Sequence, residues 1–286
     1  MDTPDPTEIA PLRVPNLKCP NCGASASLPL GMTCADHRPA AFYDNEPPVV
    51  LHESARCKVI HGRAESVLAE MTTESVDLVL TDPPYGVEWQ SNMRTERFDV
   101  LTGDGKDDRD GIRAIIAECV RLVGQKRHLY VFGPSEVLDG LKVSEPTELI
   151  WDKGRTGMGD LRAPWGPAHE PISFVVSLHR HAGKAGAALL PVRLRKGSVL
   201  RFGPPTGRTV RHPSEKPVPL LRELIESSTR QGEVVLDPFA GSGSTGVAAV
   251  LSGRRAILVE SHYEYALLAR DRVLRAEQAM ELAVRA

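Results

Sequence analysis

Ser75-Val76-Asp77-Leu78-Val79-Leu80-Thr81-Asp82-Pro83-Pro84-Tyr85-Gly86 decides the fold. Val76, Leu78, Val79 and Leu80 make a short apolar run, the pattern of a strand buried on both faces of a parallel sheet. Pro83 and Pro84 end it, because neither offers an N–H to a ladder and each fixes φ at about −65°. An acid and an aromatic therefore stand on a stiff tip at a strand's carboxyl end, where open α/β sheets bind ligands.

Outward from this tip the chain alternates strands and helices. Strands are expected at 59–62, 129–132, 148–151, 171–177, 234–236 and 257–260, and helices at 64–71, 109–123, 217–230, 243–252 and 262–283, with a short one at 135–142. With the strand at 76–80, this makes an α/β fold of seven mostly parallel strands. Val234-Val235-Leu236 leads into Asp237-Pro238-Phe239-Ala240-Gly241-Ser242-Gly243-Ser244-Thr245. Gly241 and Gly243 permit positive φ and a close backbone approach, and the amino end of the next helix favours a negative group. Ile257-Leu258-Val259-Glu260 then ends a second strand in an acid about twenty residues on, suited to grip ribose hydroxyls.

The residue types at the tip suit methylation of an amino group on a nucleobase. Such a nitrogen is a poor nucleophile, since its lone pair is spread into the ring. Two acceptors on its two hydrogens would favour a pyramidal nitrogen with a localised lone pair. Asp82 can be one and a proline carbonyl the other, from Pro83 or Pro84. Tyr85 can stack on the base, a contact worth about 1–3 kcal/mol in single-strand binders. The plainer reading is a strand closed by a Pro-Pro turn with a half-buried tyrosine.

Asp82-Pro83-Pro84-Tyr85 resembles the catalytic motif of the amino DNA methyltransferases, which make N6-methyladenine or N4-methylcytosine. Asp237 to Thr245 is similar to that family's S-adenosylmethionine loop. The catalytic motif precedes the cofactor motif, the permuted order of the β class, and the resemblance covers roughly residues 55–280. It implies a Rossmann-like, circularly permuted methyltransferase fold. It also implies cofactor contacts from Asp237, Phe239, Gly241, Ser242, Gly243, Thr245 and Glu260, and double-stranded DNA as substrate with its target base flipped out. His212-Pro213-Ser214-Glu215-Lys216-Pro217 resembles the segment packed on the cofactor's methionine end, where Lys216 or Ser214 could meet the carboxylate. An acid commonly follows Gly62 in the family; here Arg63 stands there. Adenine N6 is preferred over cytosine N4, because N4 members more often carry Ser at the position of Asp82. C5-cytosine chemistry typically needs a cysteine after proline, and no Pro-Cys pair occurs. The resemblance leaves open a homodimer and a cognate restriction endonuclease. An alternative of another class is a non-catalytic, zinc-containing DNA-binding module.

The chain has 286 residues, enough for one large α/β domain and a small appendage. Its 41% apolar and 25% charged content is ordinary for a globular protein. No apolar run approaches about 18 residues, so no membrane span is expected. The acidic, proline-rich start is unlike a signal peptide, which points to the cytoplasm. The net charge of −2 carries no global basic signature, so DNA affinity must come from local patches.

Residues 1–18 read as a flexible arm and 41–56 as a linker, with the methyltransferase domain over 57–286. Between arm and linker, at 19–40, Cys19, Cys22, Cys34 and His37 form a C-x2-C-x11-C-x2-H pattern, three thiols and an imidazole fit for tetrahedral zinc. Cys57 and His52 are rival fourth ligands. Residues 86–110, with Trp89, Arg94 and Arg97, form a long polar loop read as a lid. From Pro171 to Ser214 there is no Asp or Glu, against Arg180, Lys184, Arg193, Arg195, Lys196, Arg201, Arg208 and Arg211. Eight cations without a local counter-charge suit phosphate binding, and their position between the two motifs marks about 178–212 as the target-recognition segment.

Overall fold

A computed structural model describes residues 47–84, 109–155, 164–178, 196–205 and 215–285, together with two short strands, β1 (Leu17–Lys18) and β2 (Ser25–Ala26), that pair antiparallel. Cys19, Cys22, Cys34, His37, Tyr85 and residues 86–108 of the expected lid lie outside the described residues, as do Arg180, Lys184, Arg193, Arg195, Arg208 and Arg211.

In chain order the main domain comprises β3 (Val49–Glu53), β4 (Cys57–His61), α1 (Ala64–Glu70), β5 (Val76–Thr81), α2 (Arg109–Leu122), β6 (Val123–Phe132), β7 (Thr147–Asp152), β8 (His169–Val176), β9 (Val199–Arg201), α3 (Val218–Ser228), β10 (Val234–Asp237), α4 (Ser244–Leu251), β11 (Arg255–Glu260) and α5 (Tyr263–Arg285). The strands form one nine-stranded sheet in the order β3-β4-β11-β10-β5-β6-β8-β7-β9. Seven were expected; the additional two are its edges. Val49–Glu53 falls inside the expected linker, and β9 falls inside the basic segment. The expected helix at 135–142 is a single 3-10 turn, Ser135–Leu138.

From β4 through β11, β10 and β5 to β6 all neighbours run parallel, so His61, Glu260, Asp237, Thr81 and Phe132 end at one edge. β10 leads through α4 to β11 on one side, while β5 leads through α2 to β6 on the other. The β10–β5 boundary is thus the switch point where a doubly wound sheet opens a crevice. β8 runs antiparallel to β6 and β7, so its beginning, with Glu170, reaches the same edge.

Two apolar layers hold the helices on the sheet. One packs Ile112, Ile115, Ile116, Cys119 and Leu122 of α2 with Ala64 and Leu68 of α1 against Val79, Leu129 and Leu236. The other packs Leu220, Leu221, Leu224 and Ile225 of α3, Ala248 and Ala249 of α4, and Ala269 and Val273 of α5 against Leu78, Leu80 and Leu258. Leu78 and Leu80 are wholly buried, and each contributes about 1.5–3 kcal/mol by leaving water. They stiffen the strand that carries Asp82. Cys57 and Cys119 are buried core thiols, Cys57 pushed up to about 12 by burial and then by nearby Glu277. The rival ligand His52 is bonded to Glu277 at 3.0 Å. No described helix is long and apolar enough to cross a membrane.

Candidate active site

At the switch point the two sequence motifs touch. Thr81, the last residue of β5, donates its hydroxyl to Asp237 Oδ1, at the end of β10, over 2.9 Å. Asp237 also accepts the Phe239 N–H at 3.2 Å and is hydrogen-bonded to Thr245. Burial pushes its carboxyl up to about 6 against the pull of those hydrogen bonds, and the nearby Asp82 charge adds to the rise. Asp237, Ser242 and Thr245 are all buried, and the Asp237–Thr245 bond ties the two ends of the loop together.

The loop itself is set by backbone conformation. Gly241 and Gly243 have φ of 50° and 80°, the left-handed region that an L side chain rarely adopts. A Cβ on Gly243 would also lie 2.7 Å from Cα of Ala269, so this glycine lets the loop close on α5. Gly243 caps α4, whose amino end faces the crevice side of the sheet. From α5, Arg272 reaches back to Ser242 O at 2.9 Å, Ser242 Oγ at 2.6 Å and Ser244 Oγ at 3.1 Å, while its second nitrogen meets Glu215 at 2.7 Å. The segment before α3 is thereby tied to the glycine loop. Arg272 carried no signal in the sequence beyond being one charged residue among many, and Glu215 lay in the segment 212–217 that the resemblance marked, without a role of its own.

Glu260 ends β11 beside this loop. Its Oε2 accepts the Gly241 N–H at 2.7 Å and its Oε1 the His262 N–H at 2.8 Å. Burial nevertheless pushes the carboxyl up to about 7. Arg63 caps α1 without a side-chain cap bond and pairs with Glu65 at 3.3 Å on the exposed surface.

On the other side of the switch point, four charges alternate. Asp82 Oδ2 lies 2.6 Å from Lys216 Nζ, which is 3.2 Å from Glu170 Oε2. Glu170 Oε1 in turn lies 2.6 Å from Lys153 Nζ. Phe132 and Trp151, edge-to-face at 6.5 Å, floor the group, with Lys216 5.0 Å from the first ring and 6.0 Å from the second. The structure therefore brings Lys216 to Asp82 and Glu170, where the resemblance had pointed it toward a cofactor carboxylate. Of the expected DNA contacts, two are described, and both have counter-charges from other elements: Lys196 pairs with Glu223 of α3, and Arg201 with Asp152 of β7 at 3.0 Å. For these two, the acids missing from the segment's own sequence are supplied by other elements.

Residues 144–271 match the model of a family described as "DNA methylase". The chain is 31% identical over 231 residues to "Putative methylase YubD" of Escherichia coli (strain K12), covering 78% of this chain and 93% of that protein. The chain belongs to the amino DNA methyltransferases. Another such methyltransferase, the DNA adenine methyltransferase YhdJ of Escherichia coli (strain K12), is 29% identical over 241 residues, covering 72% of this chain and 79% of that protein. In fold, the amino methyltransferase domain is similar to the crystal structure of the M1.HpyAVI–SAM complex. The TM-score is 0.56 at 20% identity, covering 74% of this chain and 97% of that one.

Proposed function

We propose that the protein transfers a methyl group to the exocyclic amine of a base flipped out of double-stranded DNA, with adenine N6 as the first target. The observation that carries this is the Thr81–Asp237 bond, which sets the Asp82 tip directly beside the glycine loop. S-adenosylmethionine, when bound, supplies an activated methyl group. Its fit here rests on the donor set: two left-handed glycines, a helix amino end for a carboxylate, and the Glu260 carboxylate for ribose hydroxyls.

Asp82 and a carbonyl of Pro83 or Pro84 accept hydrogen bonds from the two amine hydrogens, and Tyr85 stacks on the base. Placing nitrogen and methyl in line is an orientation effect. Extrusion of the base costs a few kcal/mol, which protein contacts offset. Arg180, Lys184, Arg193, Arg195, Lys196, Arg201 and Arg208 are proposed to contact phosphates. Lys196 and Arg201 would exchange their acidic partners for DNA. Asp82 rather than Ser, together with the name of YhdJ, favours adenine; cytosine N4 is the second reading. Cys19, Cys22, Cys34 and His37 are proposed to hold one structural zinc ion.

Asp82→Ala tests the assignment. It is expected to abolish methyl transfer while calorimetric binding of S-adenosylmethionine persists. A variant that still methylates DNA, or one that loses the cofactor, contradicts the role given to Asp82.

A further inference from the structure

Lys216 is almost wholly buried, with a side chain 9% exposed. An ammonium in such a place is costly unless paired and hydrogen-bonded, and here two carboxylates share it. The shorter contact is to Asp82, the longer to Glu170. Burial works against the charge on Lys216, but the Asp82 and Glu170 carboxylates outweigh it and hold its pKa above the ordinary lysine range. Burial likewise works against the charge on Glu170, and Lys216 and Lys153 outweigh that, holding it below the usual range. The aromatic floor of Phe132 and Trp151 adds cation–π attraction and blocks one side of the ammonium. Two of its three donors are thus committed within the chain.

We propose that Lys216 is a positioning residue for Asp82, gripping Oδ2 so that the incoming amine meets a carboxylate of fixed orientation and charge, and that Glu170, braced by Lys153, keeps Lys216 in place. This rests on the reading of Asp82 as the amine's acceptor. A carboxylate on a single χ2 torsion turns freely unless something holds one oxygen. Lys216 comes from the segment before α3, Glu170 from β8 and Lys153 from just after β7, so three separate parts of the sheet edge set one side chain. The same geometry leaves Lys216 only its third donor for the cofactor's carboxylate, the other two being committed to Asp82 and Glu170.

The test uses the full chain, S-adenosylmethionine and duplex DNA, reading kcat at saturation beside cofactor affinity by calorimetry. Lys216→Met is expected to lower kcat by about 10²-fold, the scale of a misplaced reacting group, with cofactor affinity nearly unchanged. In Lys216→Ala, ethylamine added to the buffer should restore part of the lost kcat, which a purely structural role would not allow. Glu170→Gln should lower kcat by a smaller factor with cofactor affinity intact, and it carries the test if Lys216→Met does not fold. Lost cofactor affinity with kcat preserved in Lys216→Met would assign Lys216 to the cofactor and overturn the proposal. Unchanged kcat in Glu170→Gln, or no ethylamine rescue of a folded, cofactor-binding Lys216→Ala protein, would overturn it too. If the wild-type chain transfers no methyl, the reading of Asp82 fails, and the proposal fails with it.

Discussion

Thr81 Oγ1 and Asp237 Oδ1, 156 residues apart in sequence, are 2.9 Å apart in the crevice. This bond joins the two sequence motifs: β5 and β10 become neighbours although most of the domain separates them in the chain. Thr81 is 1% exposed and Asp237 4%, so the bond is made where water cannot replace it. Thr81→Val keeps the shape and removes the donor. It should cost about 1–3 kcal/mol, the penalty for a buried acceptor left short of a partner, read as a lower urea midpoint with an unchanged slope. An unchanged midpoint would mean that the two motifs are aligned by the sheet alone.

The acids of the crevice set a pH dependence. Burial raises Asp237 from 3.8 to about 6 and Glu260 from 4.5 to about 7. Both hold protons more tightly folded than unfolded. Their contribution to stability is therefore full below their unfolded pKa values and lost as pH rises through the folded ones. The cofactor-free protein should show a higher urea midpoint at about pH 5 than at about pH 8 from these groups, and Asp237→Asn with Glu260→Gln should flatten the difference. Cofactor binding should run the other way. If ribose hydroxyls donate to the ionised Glu260 carboxylate, as proposed, affinity should rise as pH passes upward through about 7. An undiminished pH difference in the double variant would contradict the assignment.

Much of this was legible in the sequence, and the reason is local. Strands such as 76–81 and 234–237 are buried on both faces and read as apolar runs, and Gly241 and Gly243 mark a turn that only glycine takes easily. Edge strands carry no such pattern. Val49–Glu53 follows two prolines and has exposed residues at both ends, so it exists through its pairing with β4 rather than through its own periodicity. Three-residue β9 is likewise made by its register against β7. Long-range charge was invisible for the same reason. Nothing near Lys216 announces Asp82, nothing near Ser242 announces Arg272, and the acids that face Lys196 and Arg201 lie outside the acid-free stretch.

The metal proposal belongs to the chain before β3. If Cys19, Cys22, Cys34 and His37 bind zinc, purified protein should carry about one ion per chain, tetrahedral with three sulfurs and one nitrogen. Cys22→Ser should release it and loosen roughly the first fifty residues, measured by proteolysis, while cofactor affinity stays nearly constant. Metal-free protein prepared without chelator would contradict the site. Joint loss of metal and cofactor would mean that this segment packs into the catalytic domain.

The most direct test of the central claim is nucleoside mass spectrometry on duplex DNA incubated with the purified chain and S-adenosylmethionine. The account predicts N6-methyladenine in the product, absent with Asp82→Ala. N4-methylcytosine alone would keep the chemistry and correct the base. Neither modified nucleoside, from folded protein shown to bind the cofactor, would contradict the account.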